Sequence, residues 1–215
     1  MVPESGLILA DYDGTLCPGD SHARLLRHIL LVRRWPLLLL LALSPLLLLL
    51  CVPCRTLTVR LVWWCATFGA TAWQWRRWVV ALAHRAPPLY GEAASLLAHV
   101  QAHAHARLWV VSASPQALVR RSLSCQCEGS IRMSEMRVYA TRMARRFGAI
   151  VPRHYAYGAA KLTRLPPLSA PVTLALSDSV SDLPLLALAS RAWLINPKQW
   201  PLAKAPRHLE PRVWR

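Results

Sequence analysis

The sequence predicts an α/β protein whose core is a doubly wound parallel sheet, interrupted early by a long helical insertion. Three observations carry that prediction. Short, wholly apolar runs recur at 6–10 (GLILA), 107–112 (RLWVVS), 172–176 (VTLAL) and 191–195 (RAWLI). Runs of this kind are typical of strands covered on both faces. Helical patterns at 115–124, 158–165 and 182–190 alternate with them, as in βαβ units. The interval from about 18 to 104 breaks the alternation and reads as a helical cap.

The first strand, 6–10, ends in Asp11, with Asp13 two residues later and Gly14 behind it ("LILADYDGTL"). Carboxylates set against an apolar core are costly unless they are paired or hold a metal. No basic n-region precedes the strand, and its apolar run of about five residues ends in charge, so it does not read as a signal peptide.

The insertion opens with a basic amphipathic piece, "SHARLLRHILLVRRW", and continues into "PLLLLLALSPLLLLLCVPC". Residues 37–52 carry no charge, are interrupted by Pro45, and lie between Arg33, Arg34 and Arg55. Sixteen helical residues rise about 24 Å, short of the roughly 30 Å of bilayer hydrocarbon. A second apolar stretch, "LVWWCATFGATAW" (61–73), is bounded by Arg60, Arg76 and Arg77. Its tryptophans are of the type enriched at membrane interfaces. Strands on both sides of the insertion join one sheet, so a single crossing is excluded. A two-helix hairpin, a segment that dips in at Pro45 and returns, and a buried core helix remain open. The expectation is a helical, membrane-inserted cap over 18–104, membrane-associated at about 35–75. The core is assigned to 1–17 and 105–197, and residues 198–215 form a basic, extended or disordered tail.

Charge supports the same picture. The chain holds 26 Lys+Arg against 10 Asp+Glu, a formal +16, and its only lysines are Lys161, Lys198 and Lys204. A basic, apolar chain favours an anionic membrane over nucleic acid. The arginines on both flanks fit an exit and re-entry on the cytoplasmic side. Six cysteines, Cys51-x-x-Cys54 and Cys125-x-Cys127 among them, have no metal or disulfide framework and read as reduced thiols.

Five aspartates occur, at 11, 13, 20, 178 and 182, with none between 21 and 177. Asp11, Ser112 and Asp178 fall at the carboxyl ends of predicted strands, where sites form in such folds. With Asp13, Lys161 and Asp182 they suit phosphoryl transfer. A carboxylate attacks phosphorus, a second acid serves the leaving group and then water, and cations hold the charge. Mg²⁺ matches this supply of oxygen ligands. A hydroxyl and backbone N–H groups at a helix start suit the other phosphate oxygens.

The four pieces, "DYDGTL", "VVSAS", Lys161 in "YGAAKL" and "LALSDSVSDLPLL", resemble the four signatures of the haloacid dehalogenase superfamily of phosphohydrolases. The resemblance implies Asp11 as nucleophile and Asp13 as general acid/base, with Ser112 and Lys161 on the phosphate. It implies Mg²⁺ held by Asp11, the Asp13 carbonyl and Asp178, with Asp182 in support. "ATFGATAWQWRRW", "VVSASPQALV" and "SDSVSDLPLL" followed by "RAWLINP" are similar to the membrane-bound phosphatidylglycerophosphatase C branch, related to phosphoserine phosphatases. That implies a phospholipid substrate, phosphatidylglycerophosphate. Asp20, at the junction of core and cap, is either a substrate contact or the N-cap of the following helix. Arg76 and Arg77 either meet a second phosphate or anchor headgroups. The rival readings are a membrane-tethered phosphatase of a soluble phosphomonoester and a catalytically dead module that binds anions.

Overall fold

In the computed structural model, which describes residues 2–127, 136–168, 170–197 and 208–215, strand β1 (Gly6–Ala10) lies at the centre of a seven-stranded sheet. It pairs in parallel with β2 (Ala106–Pro115) on one side and β5 (Val172–Ser177) on the other. Beyond β2 come β3 (Met136–Arg146) and then β4 (Ala149–His154), the one antiparallel neighbour among the described strands. Beyond β5 come β6 (Arg191–Ile195) and β7 (Leu209–Arg212), both parallel. The chain moves to opposite sides of β1 in its two halves, which makes the carboxyl end of β1 the topological switch point.

Strand alternation explains the uninterrupted apolar spelling of β1. Ile8 and Ala10 pack on one face with Val110 of β2 and with Ala93, Leu96 and Val100 of a later helix. Leu7 and Leu9 pack on the other with Val111, Leu185 and Leu194. Both faces are covered, so neither set of side chains is polar.

Five helices separate β1 from β2: α1 (Ser21–Arg33), α2 (Pro36–Leu50), α3 (Arg55–Thr67), α4 (Ala72–Ala83) and α5 (Gly91–Ala102). The first, third and fourth share a core of Leu25, Ile29, Trp63, Ala66, Trp78 and Val79, closed by Ile150 and Val151 of β4. α4 starts where Thr71 and Gln74 form a reciprocal capping box, which satisfies two of the orphan N–H groups at its start. α5 falls inside the 18–104 interval, yet its buried face belongs to the sheet's core.

α2 does not dip at Pro45; it runs through it as a continuous helix and returns through a turn at 51–54 into α3. Proline removes the N–H that the Leu41 carbonyl would have accepted. Ser44 Oγ donates to that carbonyl at 2.7 Å instead. The membrane-inserted cap finds no support here: among the described residues no helix is long and apolar enough to cross a bilayer. The 61–73 stretch is divided between α3 and α4, with the break at 68–71. Its Trp63 is fully buried in the cap core instead of facing an interface.

Other local differences have local causes. Residues 158–164 wind as a 3-10 turn entered through Gly158 at φ +55°, a left-handed conformation that favours glycine. The helix expected over 182–190 shortens to α7 (Leu183–Leu186) after a 3-10 turn at 180–182, and Ser190 N–H then joins the Val172 carbonyl. The far tail is ordered: β7 pairs with β6, and Arg215 accepts from Gly91 N–H at 2.9 Å. The rest of the expected tail, 198–207, lies outside the described residues. α6 (Gln116–Gln126) follows β2 as its sequence spells.

Candidate active site

The carboxyl ends of β1, β2 and β5 and the 3-10 turn at 158–164 meet in one cavity of about 430 Å³. It takes in all seven residues singled out in the sequence: Asp11, Asp13, Asp20, Ser112, Lys161, Asp178 and Asp182. Chain segments up to 171 residues apart (Asp11 and Asp182) are thus brought together by the sheet.

Lys161 organises its floor. The Nζ ammonium lies 2.6 Å from Asp11 Oδ2 and 2.5 Å from Asp182 Oδ2, with the lysine 2 % and Asp182 1 % exposed. Burial disfavours the ammonium, but the Asp11 and Asp182 carboxylates outweigh it and hold Lys161 above the ordinary lysine value. Burial pushes the Asp11 carboxyl well up, and the Lys161 ammonium opposes it. Asp11 Oδ1 accepts the Tyr12 N–H at 2.7 Å. Asp182 Oδ2 also accepts from Ser177 Oγ at 2.6 Å. Asp182 sits at the N-cap position of α7, but its side chain caps nothing there.

Asp13 turns the other way. Its Oδ1 accepts the Ser21 N–H at 2.8 Å, and its Oδ2 accepts from Ser21 Oγ at 2.9 Å and from Ser114 Oγ. Burial raises the Asp13 carboxyl, and these donors work against the rise. Ser112 is fully buried, and its Oγ accepts the Ser114 N–H at 3.0 Å. Ser21 and Ser114 escaped the sequence reading. Ser114 lies inside the quoted "VVSAS", where only its neighbour stood at the expected strand end.

Asp178 is packed over Gly14. A Cβ built on that glycine, at φ +72°, would come within 2.2 Å of the Asp178 carboxylate. The backbone of the Asp13–Gly14 loop and the Asp178 carboxylate therefore approach as only glycine allows. Two carboxylates, on Asp11 and Asp178, beside a loop carrying main-chain carbonyls are the oxygen donors that Mg²⁺ takes alongside water and phosphate. The residues present fit that ion. No group of three or more His, Cys, Asp or Glu side chains is spaced to hold a metal among the described residues. Asp13 and Asp182 spend their side chains on serines and lysine.

Asp20 does both things open to it: Oδ1 caps α1 by accepting Ala23 N–H at 2.9 Å, and the residue lines the cavity. The outer wall was not foreseen. Arg55, expected to flank a membrane segment, opens α3 with its guanidinium 3.9 Å from the centre of the Tyr157 ring. Tyr157 stacks on Tyr155 at 5.9 Å, and Tyr155 lies 5.8 Å from His22. The signal was the pair of tyrosines in "HYAYGAAKL", just ahead of Lys161. Arg76 and Arg77 do not line the cavity; Arg77 stacks on Trp73 at 4.6 Å.

The haloacid dehalogenase-like hydrolase family model matches residues 8–187. The chain belongs to that family. The match runs from β1 through α7 and takes in every residue of the cavity floor. No curated protein matches. Among solved structures, a protein of unknown function from Bordetella pertussis Tohama I is 18 % identical with a TM-score of 0.65, over 89 % of this chain and 90 % of that one. A phosphoserine phosphohydrolase-like protein from Francisella tularensis is 13 % identical, TM-score 0.59, over 94 % of each chain. A substrate-bound phosphoserine phosphatase is 13 % identical, TM-score 0.60, over 97 % of this chain and 93 % of that one. At such identities the likeness is one of fold. Family and fold together are consistent with a phosphatase.

Proposed function

We propose that this family member hydrolyses a phosphomonoester through an aspartyl-phosphate on Asp11, and that the ester is the terminal phosphate of phosphatidylglycerophosphate. One observation carries the chemistry: a buried lysine bridges the carboxylate at the end of β1 to a second carboxylate, inside a cavity that also holds Asp13. Lys161, kept cationic by its two partners, draws the phosphoryl oxygens toward Asp11 and offsets their charge. Asp11 attacks phosphorus; the bond to the ester oxygen breaks, and its electron pair leaves with that oxygen. Asp13, oriented by Ser21 and Ser114, gives this oxygen a proton. It then takes one from the water that attacks the acyl-phosphate, releasing phosphate and restoring Asp11. Ser112 supports a phosphoryl oxygen. Asp182 steadies Lys161, and Asp11, the Asp13 carbonyl and Asp178 would hold a Mg²⁺ ion that would supply further charge neutralisation.

The lipid reading rests on the outer wall. Arg55 follows directly on the apolar helix α2 and its exposed turn, lines the cavity, and sets its guanidinium over Tyr157. A lipid phosphodiester would meet that cation while the terminal phosphate reaches Asp11. We place the enzyme at the cytoplasmic face of the inner membrane, as a step in phospholipid synthesis. The test is phosphate release from phosphatidylglycerophosphate in mixed micelles, against phosphoserine and sugar phosphates, with Mg²⁺ and after chelation. The expected result is lipid turnover at least a hundredfold more efficient than that of any soluble ester, and lost on chelation. Turnover of phosphoserine without the lipid would overturn the lipid substrate in favour of a soluble phosphomonoester.

A further inference from the structure

α2 is the least covered helix among the described residues. Of its fifteen residues only Pro36 is buried. Leu38, Leu41, Leu48 and Leu49 are 71–73 % exposed, and Val52 in the following turn is 87 % exposed. Their spacing, with Pro45 between, is that of one helical stripe. A stripe of this size in water is a standing cost of burial forgone.

Both ends of α2 are held against the body. At its start, Arg33 donates to the Ala66 and Phe68 carbonyls at 3.2 and 2.8 Å and lies 4.9 Å from the Trp35 ring. Trp35 meets Phe68 edge-on at 6.5 Å. At its end, the turn leads to Arg55 on Tyr157. A helix of about 22 Å fixed at both ends lies along the surface and cannot point away from it.

A second element joins the face. The β3–β4 turn presents Phe147, 85 % exposed, at φ +50°. The Trp64 Nε1–H holds its carbonyl at 2.9 Å, and Phe68 packs within 3.1 Å of where a Gly148 Cβ would stand. Trp35, Trp64, Phe68 and Phe147 thus gather at the start of α2. Between α3 and β4 a groove of about 560 Å³ runs beside the turn, floored by Leu57, Leu61 and Val151 and rimmed by Arg60, Arg146 and Arg153.

Charge decides what covers this surface. No Asp or Glu occurs over 21–91 or 136–177, where fifteen arginines do. A second copy of the chain would set arginine against arginine. An anionic bilayer offers phosphates to the arginines, an interface to the aromatic rings, and acyl chains to the leucines. We propose that the outer face of α2, the Phe147 turn and the arginine-rimmed groove dock flat on an anionic bilayer without crossing it, and so turn the mouth of the catalytic cavity to the headgroup plane. Only that last clause rests on the lipid-substrate reading.

The test is flotation of the full chain with vesicles of phosphatidylcholine, with and without phosphatidylglycerol. Alongside it, hydrolysis of p-nitrophenyl phosphate in detergent reports on the fold. The wild type is expected to float with the anionic vesicles at least tenfold more than with the neutral ones, and to release in high salt. Leu41→Glu with Leu48→Glu, and separately Phe147→Ser, are expected to lower the floating fraction at least tenfold and about threefold, with detergent hydrolysis unchanged. Flotation unaffected by these changes overturns the docking face, as does a wild-type dimer that the Leu→Glu pair converts to monomer while flotation persists. If phosphatidylglycerophosphate is not hydrolysed but flotation behaves as expected, the docking stands and the substrate reading falls.

Discussion

The floor of the cavity and the outer face of α2 break the ordinary rule of burial in opposite directions. At the floor, charge is buried: Lys161, Asp11 and Asp182 are in contact and almost out of reach of water. On α2, leucine is exposed over most of a fifteen-residue helix. Each inversion costs stability in the isolated chain, and under the proposed function and docking each is offset by a ligand. Buried charge is tolerated where its partners are fixed around a reacting group. Exposed leucine is tolerated where something apolar covers it.

The comparison is broken most severely at the floor. Asp11→Asn removes the carboxylate proposed to attack while keeping its shape, and phosphate release is expected to fall on the order of a thousandfold or more in steady-state assays. Residual activity within tenfold of wild type would leave the floor a mere ion-pair network.

Lys161→Met comes next, and acts on the fold itself. Without the ammonium, Asp11 and Asp182 face each other buried, a defect of about 3–5 kcal/mol. Thermal unfolding is expected to shift down on the order of 10 °C, and Lys161→Met with Asp182→Leu is expected to recover part of it.

Two substitutions then sharpen the contrast within the cap. Trp63→Ala, in the core shared by α1, α3 and α4, is expected to cost about 3–5 kcal/mol in denaturant unfolding. Leu48→Gln on the outer face of α2 is expected to stay within about 0.5 kcal/mol. Equal costs would mean that α2 is packed as the others are.

Much of the floor was legible because its signals are local. An apolar run ending in "DYDGT" fixes a strand and its terminal carboxylates at once, and "SDSVSD" does the same for β5. The β3–β4 hairpin was not legible, because its apolar residues close the cap core against Trp63 and Ile29, partners that lie more than 80 residues away. Trp63 itself was misassigned for a related reason. A tryptophan in an apolar stretch spells the same whether it meets lipid or a neighbouring helix. Arg55 read as a flank to α2, and only the fold brings it over Tyr157.

The smallest expected effect lies on the wall between the two regions. His22 Nε2 accepts the Trp63 Nε1–H at 2.8 Å, which requires a neutral ring, and burial holds its pKa below the ordinary 6.5. A fold that disfavours the imidazolium keeps this contribution above pH 6.5 and loses it as the pH falls below, since the unfolded chain takes up the proton first. Unfolding midpoints are therefore expected to drop modestly from pH 7 toward pH 5, and His22→Gln is expected to flatten that slope.

The central claim is a covalent one, and acid quenching of the enzyme during turnover tests it most directly. Mass spectrometry of the quenched peptides is expected to find phosphate on Asp11, labile to hydroxylamine and missing from Asp11→Asn. Turnover with no adduct at Asp11, or an adduct on another residue, would contradict the account.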